Sequence, residues 1–180
     1  MKNLKIGNRL FTILYYSCIQ YLPANKTKLG RILHTRSLRY CCCKHIFKSI
    51  GRNVNIEKKA NFGYGDKLEI GDNSGLGINS IIPSNIKIED NVMMGSNCRI
   101  LNSNHVFDRI DVPMIEQGSK TGKKIIIEDD VWIGQNVLIT AGRYISKGTV
   151  IGAGCVLCKD FPEYSIVGGN PSRLIRSRVK

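Results

Sequence analysis

Read from Ile50, the chain repeats itself every six residues, and that period restricts the fold more than any other feature. Ile50, Ile56 and Phe62 open the first hexads. After a two-residue slip at Leu68-Glu69 the register resumes at Ile70, Leu76, Ile82, Ile88, Met94 and Ile100. It breaks at Val106 and returns at Ile127, Ile133, Ile139, Ile145 and Ile151. A bulky residue every six, with a small or β-branched one four places later, suits a chain that turns a corner at each hexad. Three corners close a triangular coil of about 18 residues. The aliphatic residues stack inside, one ladder per edge, and Gly, Asn and Asp recur where φ is positive or a side chain caps a turn. Coils stack by parallel strand pairing, so each touches only its neighbours. A β-sandwich of alternating strands is the competing fold, and a hexad sustained over so many repeats argues against it.

The length of 180 residues suits one domain with appendages. The pattern predicts a basic helical segment over 1–49, a β-helix of about five to six coils over 50–161, and a tail over 162–180. The register break over 106–126 predicts an excursion loop, and long loops on rigid repeats are usually functional. In the first segment Leu4, Gly7, Leu10, Phe11, Leu14, Cys18 and Leu22 recur at helical spacing up to Pro23, and a second helix is expected from Leu29 to Ser49. The apolar run Leu10 to Leu22 follows Lys2, Lys5 and Arg9 as a signal peptide would. It carries Thr12, Ser17 and Gln20, lacks a small-residue cleavage site and is too short to span a bilayer. The expectation is an amphipathic helix that caps the open end of the stack or lies on a membrane.

The net charge of +13 is unevenly placed: eleven Lys and Arg residues precede the first acidic residue, Glu57. Such a segment attracts polyanions. No nucleic-acid module is recognisable, so no nucleic-acid partner is expected; the candidates are an anionic membrane surface, a polyanionic glycan or a merely solubilising face. Seven cysteines, including Cys41-Cys42-Cys43, show neither zinc spacing nor an obvious disulfide framework, which points to the reducing cytoplasm. Cys155 and Cys158 fall inside a hexad, so they read as packing or wall residues.

Of three histidines, His34 and His45 lie in the basic helical segment, while His105 closes the hexad begun at Ile100, beside Asn102 and Asn104. That places it at a turn next to the excursion loop. An imidazole titrating near neutrality can take a proton from a hydroxyl. A metal site on this fold would need three histidines, and the repeat offers one, so no metal is expected.

Several strings carry a resemblance. Val131-Trp132-Ile133-Gly134, Ile151-Gly152-Ala153-Gly154, Lys159-Asp160 and the closing Gly168-Gly169-Asn170-Pro171-Ser172-Arg173-Leu174-Ile175-Arg176 resemble the hexapeptide-repeat acetyltransferases. Leu38-Arg39-Tyr40 through Gly63, Asn104-His105 and Pro113-Met114-Ile115-Glu116-Gln117-Gly118 are closer to those of capsular and exopolysaccharide gene clusters. The resemblance spans about residues 30–180. It implies a left-handed parallel β-helix assembled as a homotrimer. Acetyl-coenzyme A would be the co-substrate, in a groove between subunits, and a sugar the acceptor. His105 matches the catalytic histidine and would act as general base. Asp108 and Glu116 are the candidates to orient it, Asn104 to position the acceptor, and Asn79 is a further acceptor candidate. On the cofactor side, Trp132 and Gln135 would flank the pantetheine arm. The small residues Ala141, Gly142, Ala153 and Gly154 would let it approach the backbone, and Lys159, Pro171, Arg173 and Arg176 would meet the nucleotide end. Cys158 stands where family members commonly have Thr. The competing functions are acetylation of an amino sugar or of serine, and a non-catalytic polyanion-binding scaffold. The chain lacks the long helical N-terminal domain of serine acetyltransferases.

Overall fold

The computed structural model describes residues 6–179; Lys2, Leu4, Lys5 and Lys180 lie outside the described residues. The hexads form a left-handed parallel β-helix with three faces. The first stacks Ser49–Ile50, Glu69–Ile70, Ile86–Ile88, Ile125–Ile127 and Tyr144–Ile145 in parallel. The second runs from Asn55–Ile56 and Gly75–Leu76 through Met93–Met94, Trp132–Ile133 and Val150–Ile151 to Ser165–Gly168. The third holds Arg99–Ile100, Leu138–Ile139 and Val156–Leu157. In each short strand one residue faces in: Ile56, Ile70, Leu76, Ile88, Ile100, Ile127, Ile133, Ile139, Ile145, Ile151 and Leu157 are all buried, and they form one continuous core.

The corners explain the recurrent Asn. Asn53, Asn73, Asn91 and Asp130 turn one corner and Asn79, Asn97 and Asn136 the next, all with φ between 55° and 60°. Asn tolerates that left-handed backbone better than a branched residue does. Its amide also bonds the coil below: Asn53 donates to Asn73 at 2.9 Å, Asn79 to Asn97 at 3.1 Å and Asn97 to Asn136 at 3.1 Å. Ladder partners are 18 residues apart in a regular coil, 20 across the slip and 39 across the excursion. The coil continues beyond the expected stop at Pro162. Ile166 and Val167 pair with Val150 and Ile151, and Arg173–Ser177 then folds back antiparallel on Ser165–Gly168.

The N-terminal segment covers the open end of the first coils. Helix α1 (Ile6–Ser17) lays Tyr15 and Tyr16 on it; their hydroxyls donate to the carbonyls of Ala60 and Gly63, both at 2.9 Å. Tyr15 and Phe47 pack on Phe62, each with a centroid separation of 4.7 Å. The expected helix from Leu29 to Ser49 is two helices, α2 (Lys28–Ile32) and α3 (Thr35–Lys44). His34 enters the left-handed region (φ 48°) between them, and Thr35 then bonds Asn25 and the Gly30 carbonyl. Arg39, counted in the sequence as one of the surface-seeking cations, is fully buried instead. It donates to Asn25 Oδ1 and the Leu22 carbonyl, each at 2.5 Å, and to the Pro23 carbonyl at 3.1 Å. Asn25 in turn donates to Asn55 and the Ile56 carbonyl, tying cap to coil.

Removing Arg39 strands three acceptors and opens a void. Arg39→Ala is expected to destabilise the protein by about 3 kcal/mol or more, and Arg36→Ala, at an exposed neighbouring site, by under about 1 kcal/mol. Urea unfolding followed by circular dichroism checks this; equal midpoints for the two variants would refute the anchoring role of Arg39.

Candidate functional site

The third corner, between the third and first faces, is where the ladder is absent and the chain departs. After Ile100 it does not turn at once. Ser103–His105 pairs antiparallel with Ser119–Thr121, matching Ser103 to Thr121, Asn104 to Lys120 and His105 to Ser119. A Gly122 N–H donating to the Asn102 carbonyl at 2.7 Å closes the base of this arm. At its tip Gln117 donates to the Arg109 and Val112 carbonyls, both at 2.8 Å, and Arg109 pairs with Asp111. His105 therefore sits in a hairpin stem, not in the turn expected of it. The departure begins slightly before the register break, because strand pairing recruits residues on both sides of the loop.

The stem walls a cleft of about 540 Å³ that brings together Asn104, His105, Asp108 and Ala141. Lys120, Thr140 and Arg143 share it. His105 is exposed. Its ring Nδ1 lies 3.4 Å from the Ser119 hydroxyl, and the His105 backbone N–H donates to Asn104 Oδ1 at 3.1 Å. Ser119 is thus the side chain that meets the imidazole, and the sequence did not single it out. Asp108 borders the cleft, whereas Glu116 lies in the turn Met114–Glu116 on the arm, apart from it. The arm exposes Phe107, Ile110, Met114 and Ile115.

The other candidates divide between this corner and the one before it. Gly142 follows Ala141 at the third corner with φ 73°. Arg143 donates to the Cys158 carbonyl at 3.0 Å and pairs with Asp160 at 3.5 Å, which ties the cleft wall to the next coil. Lys159 places its ammonium 5.3 Å from the Phe161 ring centroid. Pro171, after a cis peptide, belongs to the segment that crosses the end of the third face, where the Ser172 N–H donates to the Val156 carbonyl. Across the third face lie Gln135, Ala153 and Gly154, at the corner of the Asn79 ladder. The Gly154 N–H donates to the Gln135 carbonyl at 2.8 Å. Gly134 is needed there, since a Cβ would sit 2.6 Å from the Ala153 nitrogen. Trp132 is half exposed on the second face, and Arg173 and Arg176 project from its last, antiparallel strand. Asn79 is held in its ladder, away from the His105 cleft. Arg178 anchors the end of the chain: it donates to the Gly148 carbonyl at 2.6 Å and to Asp130 at 3.0 Å.

Cys155 points inward and Cys158 outward. Burial pushes the Cys155 thiol up, while the Ser172 hydroxyl beside Cys158, and then the Ser172 backbone, hold that thiol below its ordinary range. Among the described residues no three His, Cys, Asp or Glu side chains are grouped as metal ligands would be.

Comparison with known proteins gives concordant results. No protein-family model matches. The chain is 32% identical over 176 residues to a galactoside O-acetyltransferase of Escherichia coli K12, covering 94% of this chain and 85% of that one. The crystal structure of a maltose O-acetyltransferase from Clostridium difficile 630 superposes with a TM-score of 0.74 at 28% identity, over 95% of this chain and 86% of that one. A hexapeptide-repeat acetyltransferase from Vibrio cholerae, solved with acetyl-coenzyme A, gives a TM-score of 0.67 at 26% identity, over 85% and 91%.

The Cys158 geometry makes a chemical prediction. Ser172→Ala should slow alkylation of Cys158 by iodoacetamide at neutral pH by about two- to fivefold, since less thiolate is present. Peptide mass spectrometry of the alkylated protein reads this out, and an unchanged rate refutes the role given to Ser172.

Proposed function

The chain belongs to the hexapeptide-repeat acetyltransferases, and from that premise we propose that it transfers the acetyl group of acetyl-coenzyme A to a hydroxyl of a sugar. The observation that carries the reading is the cleft in which His105, Asn104 and Asp108 converge at the root of the arm. The relatives named above act, by their names, on galactoside and maltose hydroxyls, and one was solved with acetyl-coenzyme A. With Nδ1 beside Ser119, the base is Nε2 of His105. It takes the acceptor's hydroxyl proton as that oxygen attacks the thioester carbonyl. A backbone N–H steadies the oxyanion. Collapse of the tetrahedral species breaks the C–S bond, and the imidazolium returns its proton to the departing sulfur. Sugar ester and free thiol result, with no acyl-enzyme.

The active unit is a homotrimer in this reading. The candidates fall on two corners of one coil, so a second copy is needed to bring Trp132, Gln135 and Gly154 across from His105. The exposed apolar side chains of the arm support the same arrangement, since they need a cover. Lys159, Arg173 and Arg176 then meet coenzyme phosphates. The biological setting we favour is capsular or exopolysaccharide synthesis in the cytoplasm, with peripheral contact at the inner face of an anionic membrane. Its support is the resemblance of the arm and the first coils to that branch. Among the described residues no helix is long and apolar enough to cross a membrane.

Two outcomes follow. His105→Ala should lower turnover by at least about 100-fold with acetyl-coenzyme A binding nearly unchanged, because a base acts only as the proton moves. Lys159→Ala and Arg176→Ala should show the reverse pattern, and His34→Ala neither. Thiol release against a panel of sugars and amino sugars, with calorimetry for coenzyme binding, is the assay; near-normal turnover of His105→Ala with its best acceptor refutes the assignment. Light scattering should return three times the 20.1 kDa chain mass, and a single chain mass at micromolar concentration would refute the shared site.

A further inference from the structure

The helical cap has two sides, and the coil uses one. Tyr15 and Tyr16 face inward, and Phe11 stacks on His45 with a centroid separation of 4.1 Å. On the opposite side of α1, Leu10 and Ile13 are 67% and 66% exposed and Leu14 is 43% exposed. Positions i, i+3 and i+4 form one stripe, and it is apolar where a helix facing water is ordinarily polar. Helix α3 lies alongside, with the Cys42 thiol 3.5 Å from the Phe11 carbonyl, and leaves Leu38 exposed. Leu29 and Ile32 of α2 are exposed as well. Adjacent to these apolar residues in the chain, or on the same helices, are the exposed cations Arg9, Lys28, Arg31 and Lys44, none paired with a carboxylate among the described residues. No acidic residue precedes Glu57 in the sequence.

We propose that the outward surface of the cap is a docking face for an anionic lipid bilayer. Leu10, Ile13, Leu29 and Ile32 would enter the boundary between headgroups and acyl chains, and the unpaired cations would meet anionic headgroups. An apolar stripe bordered by Lys and Arg is the arrangement of an interfacial helix, and the 12 residues of α1 are too few to span. A polyanionic glycan or a nucleic acid would satisfy the charges but leave the stripe in water. A second copy of the same face would bury the stripe but bring like charges together. A bilayer satisfies both. The inference gives the peripheral contact proposed above its surface and its chemistry, and it does not depend on the catalytic assignment.

The test uses the full chain and sedimented vesicles of phosphatidylcholine, with and without phosphatidylglycerol. Binding is expected to the anionic vesicles only and to be released by salt. Leu10→Gln with Ile13→Gln should weaken it by at least about tenfold. Lys28→Gln and Arg31→Gln should weaken it by about fivefold per charge removed. All should keep acetyl transfer in vesicle-free solution. Equal binding to neutral and anionic vesicles, no binding to either, or variants that bind like the unaltered chain would each overturn the proposal. So would a changed oligomeric mass of the Leu10 and Ile13 variant with vesicle binding intact, which would make the stripe a protein interface. An unaltered chain that binds anionic vesicles but transfers acetyl to no acceptor of the panel would instead strike the enzymatic reading and leave this one standing.

Discussion

Every coil depends on a backbone corner held in the left-handed region. At Asn53, Asn73 and Asn91, and again at Asn79, Asn97 and Asn136, the same side chain makes that backbone tolerable and bonds the coil below. The corner allows strands of only two residues, too short to be stable as an ordinary sheet. Their stability comes from stacking: each inward Ile is enclosed by its counterparts in adjacent coils, and each amide by the next amide in its column. Local conformational preference and long-range packing therefore ask for the same residues, which is the condition for a uniquely specified fold.

The third corner is the exception, and the cleft with His105 opens there. Without an Asn column to impose a turn, it admits the two-residue slip in the early coils and the whole arm after Ile100. A hairpin stem anchored on a packed coil gives His105 a definite neighbour in Ser119 and a definite wall in Ala141 and Arg143. A rigid scaffold carrying one projecting element can vary that element without disturbing the coil beneath it. The split of candidate residues between two corners follows from the same triangle, since one coil cannot turn both corners toward a single groove.

At the other end, the cap solves the problem that any stack of strands has, an open edge. It does so with aromatic side chains and with a buried guanidinium. Burial disfavours the charge of Arg39, and three oxygens converge on it to offset that penalty. The first of the three cap helices is apolar on both of its sides, which covering a coil does not require.

The period of six, the existence of a two-residue slip, the excursion and the faces of the core were legible in the chain alone, because they depend on residues close in sequence and on a repeat that averages away local noise. The slip itself lies in the corner 63–67 and not at Leu68-Glu69, since Glu69 already pairs with Lys87 in regular register. His105 could be singled out, being the one histidine of the repeat region and placed at a register break. Its setting could not. The pairing of His105 with Ser119, the burial of Arg39, the interruption of the second helix at His34 and the anchoring of the tail by Arg178 depend on contacts between segments far apart in sequence. No periodicity encodes such contacts, and only the closed coil, by bringing those segments together, decides them.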